Sequence, residues 1–529
     1  MIICANCIKT LVLRRLFYDN LRKTIFFYTF AQILLTMVQD LIGRKREFKT
    51  LKSYLNSDKS EFVAVYGRRR VGKTFLIRKT TDDKFAFFIT GVYQASKTEQ
   101  LTNFAIALQK HTKSEHLTIP KSWILAFYEL SKYLGSLPAG NKVIFIDELP
   151  WMDTAKAGFI AALENFWNSW ASLRNDIKLI VCGSATSWMI NNLIRSRGGL
   201  HNRLTHHLVL EPFNLSECEE YFKYFGFNYS RKQVAECYMA IGGIPYYMSM
   251  MDKSKSLAQN IDLLFFMPNA PLKNEFNDLY RSLFKNATPH IEVVAALATK
   301  SQGLSRKELL KLTHLTDNGA FSLVLDELEQ CGFIRQYEPF KRRPSTSANK
   351  RQNSDALYQL LDFYTLFYFQ FIKNNSYQDE HFWTNSLNSP MHHTWCGLSF
   401  EKLCLVHLQQ IKAALGIAGV QTMACTWRSH VSEKGAQIDL MIDRKDDTIN
   451  ICEIKYAQDQ FEITKDYEAN ITNKLNAFRQ ESGTRKTLHL TFITTYGVKQ
   501  NSYSNIVQSE ITLDDIFKKL IFSNYLRHY

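Results

Sequence analysis

From about residue 41 onward, short uninterrupted apolar runs alternate with longer amphipathic stretches. The runs are Phe62-Val63-Ala64-Val65-Tyr66, Val143-Ile144-Phe145-Ile146, Ile177-Lys178-Leu179-Ile180-Val181-Cys182 and His207-Leu208-Val209-Leu210. Runs of this length without polar alternation predict strands buried on both faces, and helical stretches between them predict a parallel sheet covered on both sides. The pattern changes after residue 213. Residues from about Asn214 to Asn274 show aromatic residues at helical core spacing, as suits a helical lid. Farther on, Ile291–Ala298 is apolar-periodic and Ser305-Arg306-Lys307-Glu308 is a capping box that opens a helix. A third helix is predicted from about Asp317 to Gln330, and Phe333–Tyr337 can pair with Leu357–Leu361 as a hairpin. That order is a winged helix-turn-helix. Near the C-terminus, Ala436–Ile442 and Ile449–Tyr456 read as two strands around the polar turn Arg444–Thr448. The expected fold class is α/β: a sheet core over 37–213, a lid over 214–285, a winged helix over 286–375 and a smaller α/β unit over 376–529.

Chemistry enters where the first strand ends. Gly67-Arg68-Arg69-Arg70-Val71-Gly72-Lys73-Thr74 has the spacing G-x-x-x-x-G-K-T between a strand and a helix predicted from Lys73 to about Thr80. The two glycines let the backbone curl until several N–H groups converge on a phosphate. Lys73 then reaches the β and γ oxygens, and the Thr74 hydroxyl is a ligand for Mg²⁺. The helix N-terminus adds its positive end to the same anion. The second strand runs into Asp147 and Glu148. In phosphate-loop enzymes a strand beside the loop ends in an acid that holds Mg²⁺, here Asp147, and Glu148 is placed to orient and deprotonate water. The third strand ends in Gly183-Ser184-Ala185-Thr186, where Ser184 is the expected partner of the γ-phosphate or the water.

These residues resemble the archaeal-type ATPase family within the AAA+/STAND group of P-loop ATPases. The likeness begins at Leu41-Ile42-Gly43-Arg44-Lys45-Arg46-Glu47, which implies that Arg44 lies beside the adenine. It continues through the phosphate loop, Asp147-Glu148-Leu149-Pro150-Trp151, Gly183-Ser184, Arg203 and Glu211-Pro212-Phe213, and ends at the lid motif Gly242-Gly243-Ile244-Pro245-Tyr246-Tyr247. The resemblance implies ATP and Mg²⁺ as cofactors and a homo-oligomer or a monomer-to-oligomer switch. It makes Arg203 the arginine that senses the γ-phosphate, either in cis or across a subunit interface.

Asp439 lies fourteen positions before Glu453, and Glu453 and Lys455 are two apart on one strand, so they share a face. Two carboxylates and a lysine converging on one edge can hold a divalent metal and activate water. This D…E-x-K pattern resembles the PD-(D/E)xK nuclease superfamily, and Glu401 matches that superfamily's first-helix acid. The metal ligands so implied are Glu401, Asp439 and Glu453, with Lys455 supporting the chemistry. An inert hairpin carrying a Glu453–Lys455 salt bridge is the other reading of the same residues.

A chain of 529 residues with 46% hydrophobic content can bury several cores, and its net charge of +15 favours an acidic partner such as DNA. Lys341, Arg342, Arg343, Lys350 and Arg351 crowd the hairpin loop of the winged helix. The helix before it has no Lys or Arg between Asp317 and Gln330 but contains Asp326, Glu327 and Glu329. It is a poor reader of base edges. The loop suits either a nucleic-acid backbone or another domain. Ten cysteines without a paired framework indicate a reducing cytoplasm. The uncharged run Thr24–Gln39 is shorter than the roughly 20 residues a spanning helix needs. No membrane anchor is therefore favoured, and residues 1–36 are expected to be an extension absent from the native protein. The function expected is an ATP-driven switch or motor acting with DNA and carrying a nuclease-like tail. The alternative is a nucleotide-switched scaffold with an inactive tail that binds protein.

Overall fold

The computed structural model describes residues 41–195, 203–337, 340, 356–373, 379–429 and 436–520. Residues 1–36 and the five basic residues of the 341–351 loop lie outside it. The first sheet contains β1 (Glu61–Tyr66), β2 (Phe87–Thr90), β3 (Lys142–Asp147), β4 (Ile177–Gly183) and β5 (His206–Val209). Their spatial order is β2-β3-β4-β1-β5 and every neighbouring pair is parallel. All six residues of β1 are buried, and successive side chains enter different cores. Val63 and Val65 pack with Leu51 of the helix Lys45–Leu55 and with Leu76 and Ile77 of the helix Lys73–Thr80. Phe62, Ala64 and Tyr66 belong to the opposite core with Phe104, Trp123 and Phe127, contributed by the helices Lys97–Thr112 and Trp123–Ser136. The two-residue period of a strand thus becomes a three-layer sandwich.

The strand ending in Asp147 is not beside β1, because β4 lies between them. Asp147 still reaches the phosphate loop because all three strands are parallel and end at the same edge.

The helices Leu215–Tyr224, Arg231–Ile241 and Leu257–Phe265 each begin with a side-chain cap and reciprocal capping box. Beyond them, the helices Thr288–Ala298, Arg306–Thr313 and Gly319–Gln330 accompany an antiparallel sheet of β6 (Leu304–Ser305), β7 (Ile334–Tyr337) and β8 (Leu357–Leu360), in the order β6-β8-β7. Ser305 and Glu308 form the capping box read from the sequence. The helix Gly319–Gln330 turns Leu323, Asp326 and Glu329 outward, while Glu327 meets His290 at 2.7 Å. It packs against the short helix Thr186–Met189, which begins just after Ser184.

The tail has a second five-stranded sheet made of β9 (Thr422–Arg428), β10 (Gln437–Arg444), β11 (Thr448–Lys455), β12 (Thr487–Thr494) and β13 (Ser509–Thr512). β9, β10 and β11 form an antiparallel meander, whereas β11, β12 and β13 run parallel. The helix Pro390–Val406 precedes the sheet, and the helix Lys465–Ser482 crosses from β11 to β12. The tail is docked on the helix Arg231–Ile241: Tyr456 Oη donates to Glu236, and Arg231 pairs with Asp514 at 3.1 Å. His407 Nε2 accepts the Leu215 N–H at 3.1 Å, while its Nδ1 faces the Leu403 carbonyl at 2.9 Å. Burial lowers the His407 pKa to about 4, so the ring stays neutral and can accept. No helix among the described residues is long and apolar enough to cross a membrane.

Candidate active site

The carboxyl ends of β1, β3 and β4 bring five predicted side chains to one edge. Gly72 caps the helix Lys73–Thr80 with φ 92°, in the left-handed region. The Lys73 ammonium is buried and donates to the carbonyls of Gly67 and Arg68 at 2.9 Å each, closing the loop on itself. It also stands 3.5 Å from Ser184 Oγ. Thr74 Oγ1 donates to Asp147 Oδ2 at 2.9 Å, and Glu148 N donates to Asp147 Oδ1 at 3.0 Å. The Glu148 carboxylate accepts from Ser184 twice, from N at 3.1 Å and from Oγ at 2.5 Å. Lysine, hydroxyls and two acids therefore form one connected polar edge around the loop.

Glu148 is aimed by its backbone. At φ 46° and ψ 47° it is a non-glycine residue in the left-handed region, a conformation that costs about 1–3 kcal/mol. A Cβ on Gly91 would stand 2.6 Å from the Glu148 carbonyl oxygen, so the glycine is what permits the turn. The strained turn and the Ser184 N–H together fix where the carboxylate points.

The arginines of the motif use their side chains elsewhere. Arg44 is buried with φ 37°, stacks 4.7 Å from the Phe213 ring centroid and donates to the carbonyls of Val71 and Glu211. It braces the phosphate loop against the end of β5. Arg68 is buried in an ion pair with Asp362, which lies just past β8, and its guanidinium covers the Phe333 ring at 5.0 Å. Arg69 reaches the Asp278 carbonyl at 3.5 Å. Arg70 pairs with buried Glu275 at 2.8 Å and lies 4.4 Å from the Tyr246 ring centroid. From Arg68 to Arg70, then, the side chains anchor the loop to the helix Glu275–Leu283 and the β7–β8 unit. Removing one partner of a buried pair such as Arg68–Asp362 costs about 3–5 kcal/mol.

Of the two places expected for Arg203, the one within its own chain is corrected. Val63 pairs with His206, and Thr205 N donates to the Phe62 carbonyl, so Arg203 precedes β5 at the amino end of the sheet. That is the far end from the phosphate loop, roughly 20 Å along the strands at 3.3 Å per residue. Its exposed side chain does not reach the γ-phosphate position of its own chain.

In the tail, β10 pairs with β11 from Leu440 opposite Cys452 to Asp443 opposite Ile449, so Asp439 and Glu453 are the next residue on each strand past the paired register. Glu401, on the helix Pro390–Val406, joins Asp439 and Lys402 around a small cavity with Ser301 and Gln359. Burial, with Asp439 close by, raises the Glu401 pKa to about 7, and burial lowers that of Lys402 to about 8. The joint metal site expected of Glu401, Asp439 and Glu453 is not formed. Among the described residues no three His, Cys, Asp or Glu side chains are grouped to hold a metal ion. The physical reason is a cation already in place: Lys474 pairs with Glu453, Tyr467 Oη donates to it at 3.1 Å, and Lys455 stands 4.0 Å away. Asp439 accepts from Gln437 at 2.6 Å. Tyr467 and Lys474 are not among the residues the sequence singles out. Their spacing of seven on the helix Lys465–Ser482, which puts them on one face, was the available signal.

Residues 41–251 match the family described as an ATPase domain predominantly from Archaea. An uncharacterized protein of Methanocaldococcus jannaschii is 24% identical over 336 residues, which cover 63% of this chain and 69% of that one. An uncharacterized ATP-binding protein of the same organism is 44% identical over 43 residues, 8% of this chain and 73% of that one. Among solved structures, a Walker-type ATPase of Pyrococcus abyssi is 16% identical with a TM-score of 0.44, covering 63% of this chain and 97% of that one. The ORC2 protein of Aeropyrum pernix is 14% identical with a TM-score of 0.37, covering 63% and 93%. The G-x-x-x-x-G-K-T loop, the Thr74–Asp147 contact and the matched span agree: residues 41–251 of this chain form an ATPase domain of the family found predominantly in Archaea.

Proposed function

We propose that the chain binds ATP with Mg²⁺ at Gly67–Thr74, hydrolyses it, and uses lid movement to shift its downstream units as a switch of the AAA+/STAND kind acting with DNA. The observation that carries hydrolysis is the placement of Glu148 beside Lys73, with Ser184 bonded to one and 3.5 Å from the other. Thr74 and Asp147 would hold the ion, because a hydroxyl and a carboxylate oxygen 2.9 Å apart are the hard donors Mg²⁺ takes. Bound there, Mg²⁺ neutralises phosphate charge. The loop amides bind the phosphates and Lys73 supplies positive charge where the leaving oxygen develops its own. Glu148 takes the proton of the attacking water on a carboxylate oxygen, and Ser184 keeps that carboxylate aimed. Arg203, exposed at the other end of the sheet, is assigned to a neighbouring copy's γ-phosphate, which implies a homo-oligomer.

The domain reading is a core to residue 213, a lid over 214–285, a winged helix over 286–375 and a tail over 376–529, in a cytoplasmic protein. Support for DNA is the net charge of +15 and the basic 341–351 loop. The acidic outer positions of the helix Gly319–Gln330 argue against its entering a groove to read base edges, which leaves contact with the phosphate backbone to the basic loop. The tail's helix, meander, crossover helix and parallel strands support a PD-(D/E)xK-like fold. A second reading applies to its activity: because Lys474 neutralises Glu453, the tail is a non-cleaving docking unit that binds protein.

The test is nucleotide binding and turnover by the full chain. Lys73→Ala should abolish ATP binding, and Glu148→Gln should keep ATP bound while turnover falls by roughly a hundredfold or more. Undiminished turnover in Glu148→Gln removes that residue from the base role, and a wild-type chain that binds no ATP overturns the whole reading.

A further inference from the structure

The Lys73 ammonium is held by two carbonyls of its own loop. One of those carbonyls belongs to Arg68, whose own side chain is buried. Of the Arg68 nitrogens, Nη1 bonds Asp362, while Nε and Nη2 are buried with no hydrogen-bond partner among the described residues. The guanidinium thus depends on a single anion. Asp362 in turn is built in: it is 3% exposed, and its Oδ2 accepts Thr365 N at 2.9 Å and Thr365 Oγ1 at 2.5 Å, capping the helix Phe363–Phe367. Its backbone N–H and that of Leu361 both reach the Phe333 carbonyl, which ties it to the start of β7. Asp362 lies well beyond the span matched to the ATPase family.

We propose that Asp362 is a positioning residue for the ATPase. It fixes Arg68, Arg68 fixes the loop carbonyl that holds Lys73, and triphosphate binding is thereby linked to docking of the β7–β8 segment on the loop. Arg70 and Glu275 form a second strap of the same kind from the lid. The linkage is reciprocal: whatever undocks Asp362 weakens nucleotide binding, and bound nucleotide holds the segment down. This inference rests on the reading of Gly67–Thr74 as a triphosphate loop.

The experiment compares the full chain with Asp362→Asn, which keeps an oxygen to cap Thr365 but removes the charge from Arg68. Titration with a fluorescent ATP analogue and steady-state turnover should show Kd and KM rising roughly tenfold or more. The kcat value should change little, because Asp147, Glu148 and Ser184 are untouched, and Asp362→Glu should recover part of the affinity. Hydrogen exchange on the wild-type chain needs no variant to fold: the analogue should slow exchange across residues 356–367, and in Lys73→Ala it should not. A folded Asp362→Asn with wild-type Kd, or no nucleotide-dependent protection of that segment, overturns the positioning role alone. A wild-type chain that does not bind the analogue overturns the triphosphate-loop reading with it.

Discussion

Replacing Gly67 with alanine and comparing it with the same change at Gly72 separates two roles that one motif assigns to both glycines. Gly67 has φ +140°, and a Cβ there would be driven into the Leu210 carbonyl oxygen, 3.0 Å from its carbon and 3.2 Å from its nitrogen. Three costs follow. The backbone conformation is worth about 1–3 kcal/mol against a non-glycine residue. Displacing Leu210 stretches its 2.7 Å N–H bond to the Tyr66 carbonyl, worth about 1 kcal/mol. Moving the adjacent Glu211 loosens its carbonyl from the Arg44 guanidinium, a charged bond worth about 1.5–3 kcal/mol. Gly72 has φ +92° but nothing within 4 Å of a built Cβ, so only the same conformational term applies there, about 1–3 kcal/mol. Gly67→Ala should therefore be less stable than Gly72→Ala by roughly 2–4 kcal/mol. Both variants should lose ATP affinity. Urea unfolding of the full chain, followed by tryptophan fluorescence, reads the stability difference. If the two variants unfold at the same urea concentration, the close approach of β5 to the loop is not what shapes it.

The tail supplies the remaining predictions. The folded-state pKa of Glu401 is raised to about 7 from 4.5, so its ionised form is disfavoured and stability falls as pH climbs through that window. Glu401→Gln should accordingly stabilise the protein by about 2–3 kcal/mol at pH 8 and by almost nothing at pH 4, measured as urea midpoints. An equal gain at both pH values would assign the effect to packing. With plasmid DNA and Mg²⁺ or Mn²⁺, the wild type should show no cleavage that Lys455→Ala abolishes, because Lys474 holds Glu453. Metal-dependent cleavage lost in Lys455→Ala would instead make the tail an active nuclease.

What could be read from the chain was local. β1, β3 and β4 announced themselves because a strand buried on both faces has little polar content, and the loop because phosphate binding needs glycine, lysine and a hydroxyl at fixed spacing. Ser305 and Glu308 were legible for the same reason, since a capping box is complete within one turn. β2 was missed: Phe87–Thr90 is only four residues long and its outward positions are mixed. The partners of the loop arginines were invisible, because Arg68 and Asp362 are 294 positions apart and nothing local marks Asp362 as more than a helix cap. Strand order was equally hidden, as no spacing says that β4 comes between β1 and β3. Lys474 went unread because a lysine on an amphipathic helix ordinarily faces water, and only the crossover from β11 brings it onto Glu453.

The contact between Leu215 and His407 bears on how the polypeptide can be divided. The leading amide of the helix Leu215–Tyr224 finds its acceptor on an imidazole contributed almost 200 positions later. Expressed without residues 376–529, the ATPase portion would carry a bare amide and an uncovered apolar flank around Tyr238, whose ring packs 5.2 Å from that imidazole. The matched span 41–251 is thus a unit by family match and an incomplete one by packing, and a truncation designed on that boundary alone should yield a sticky fragment.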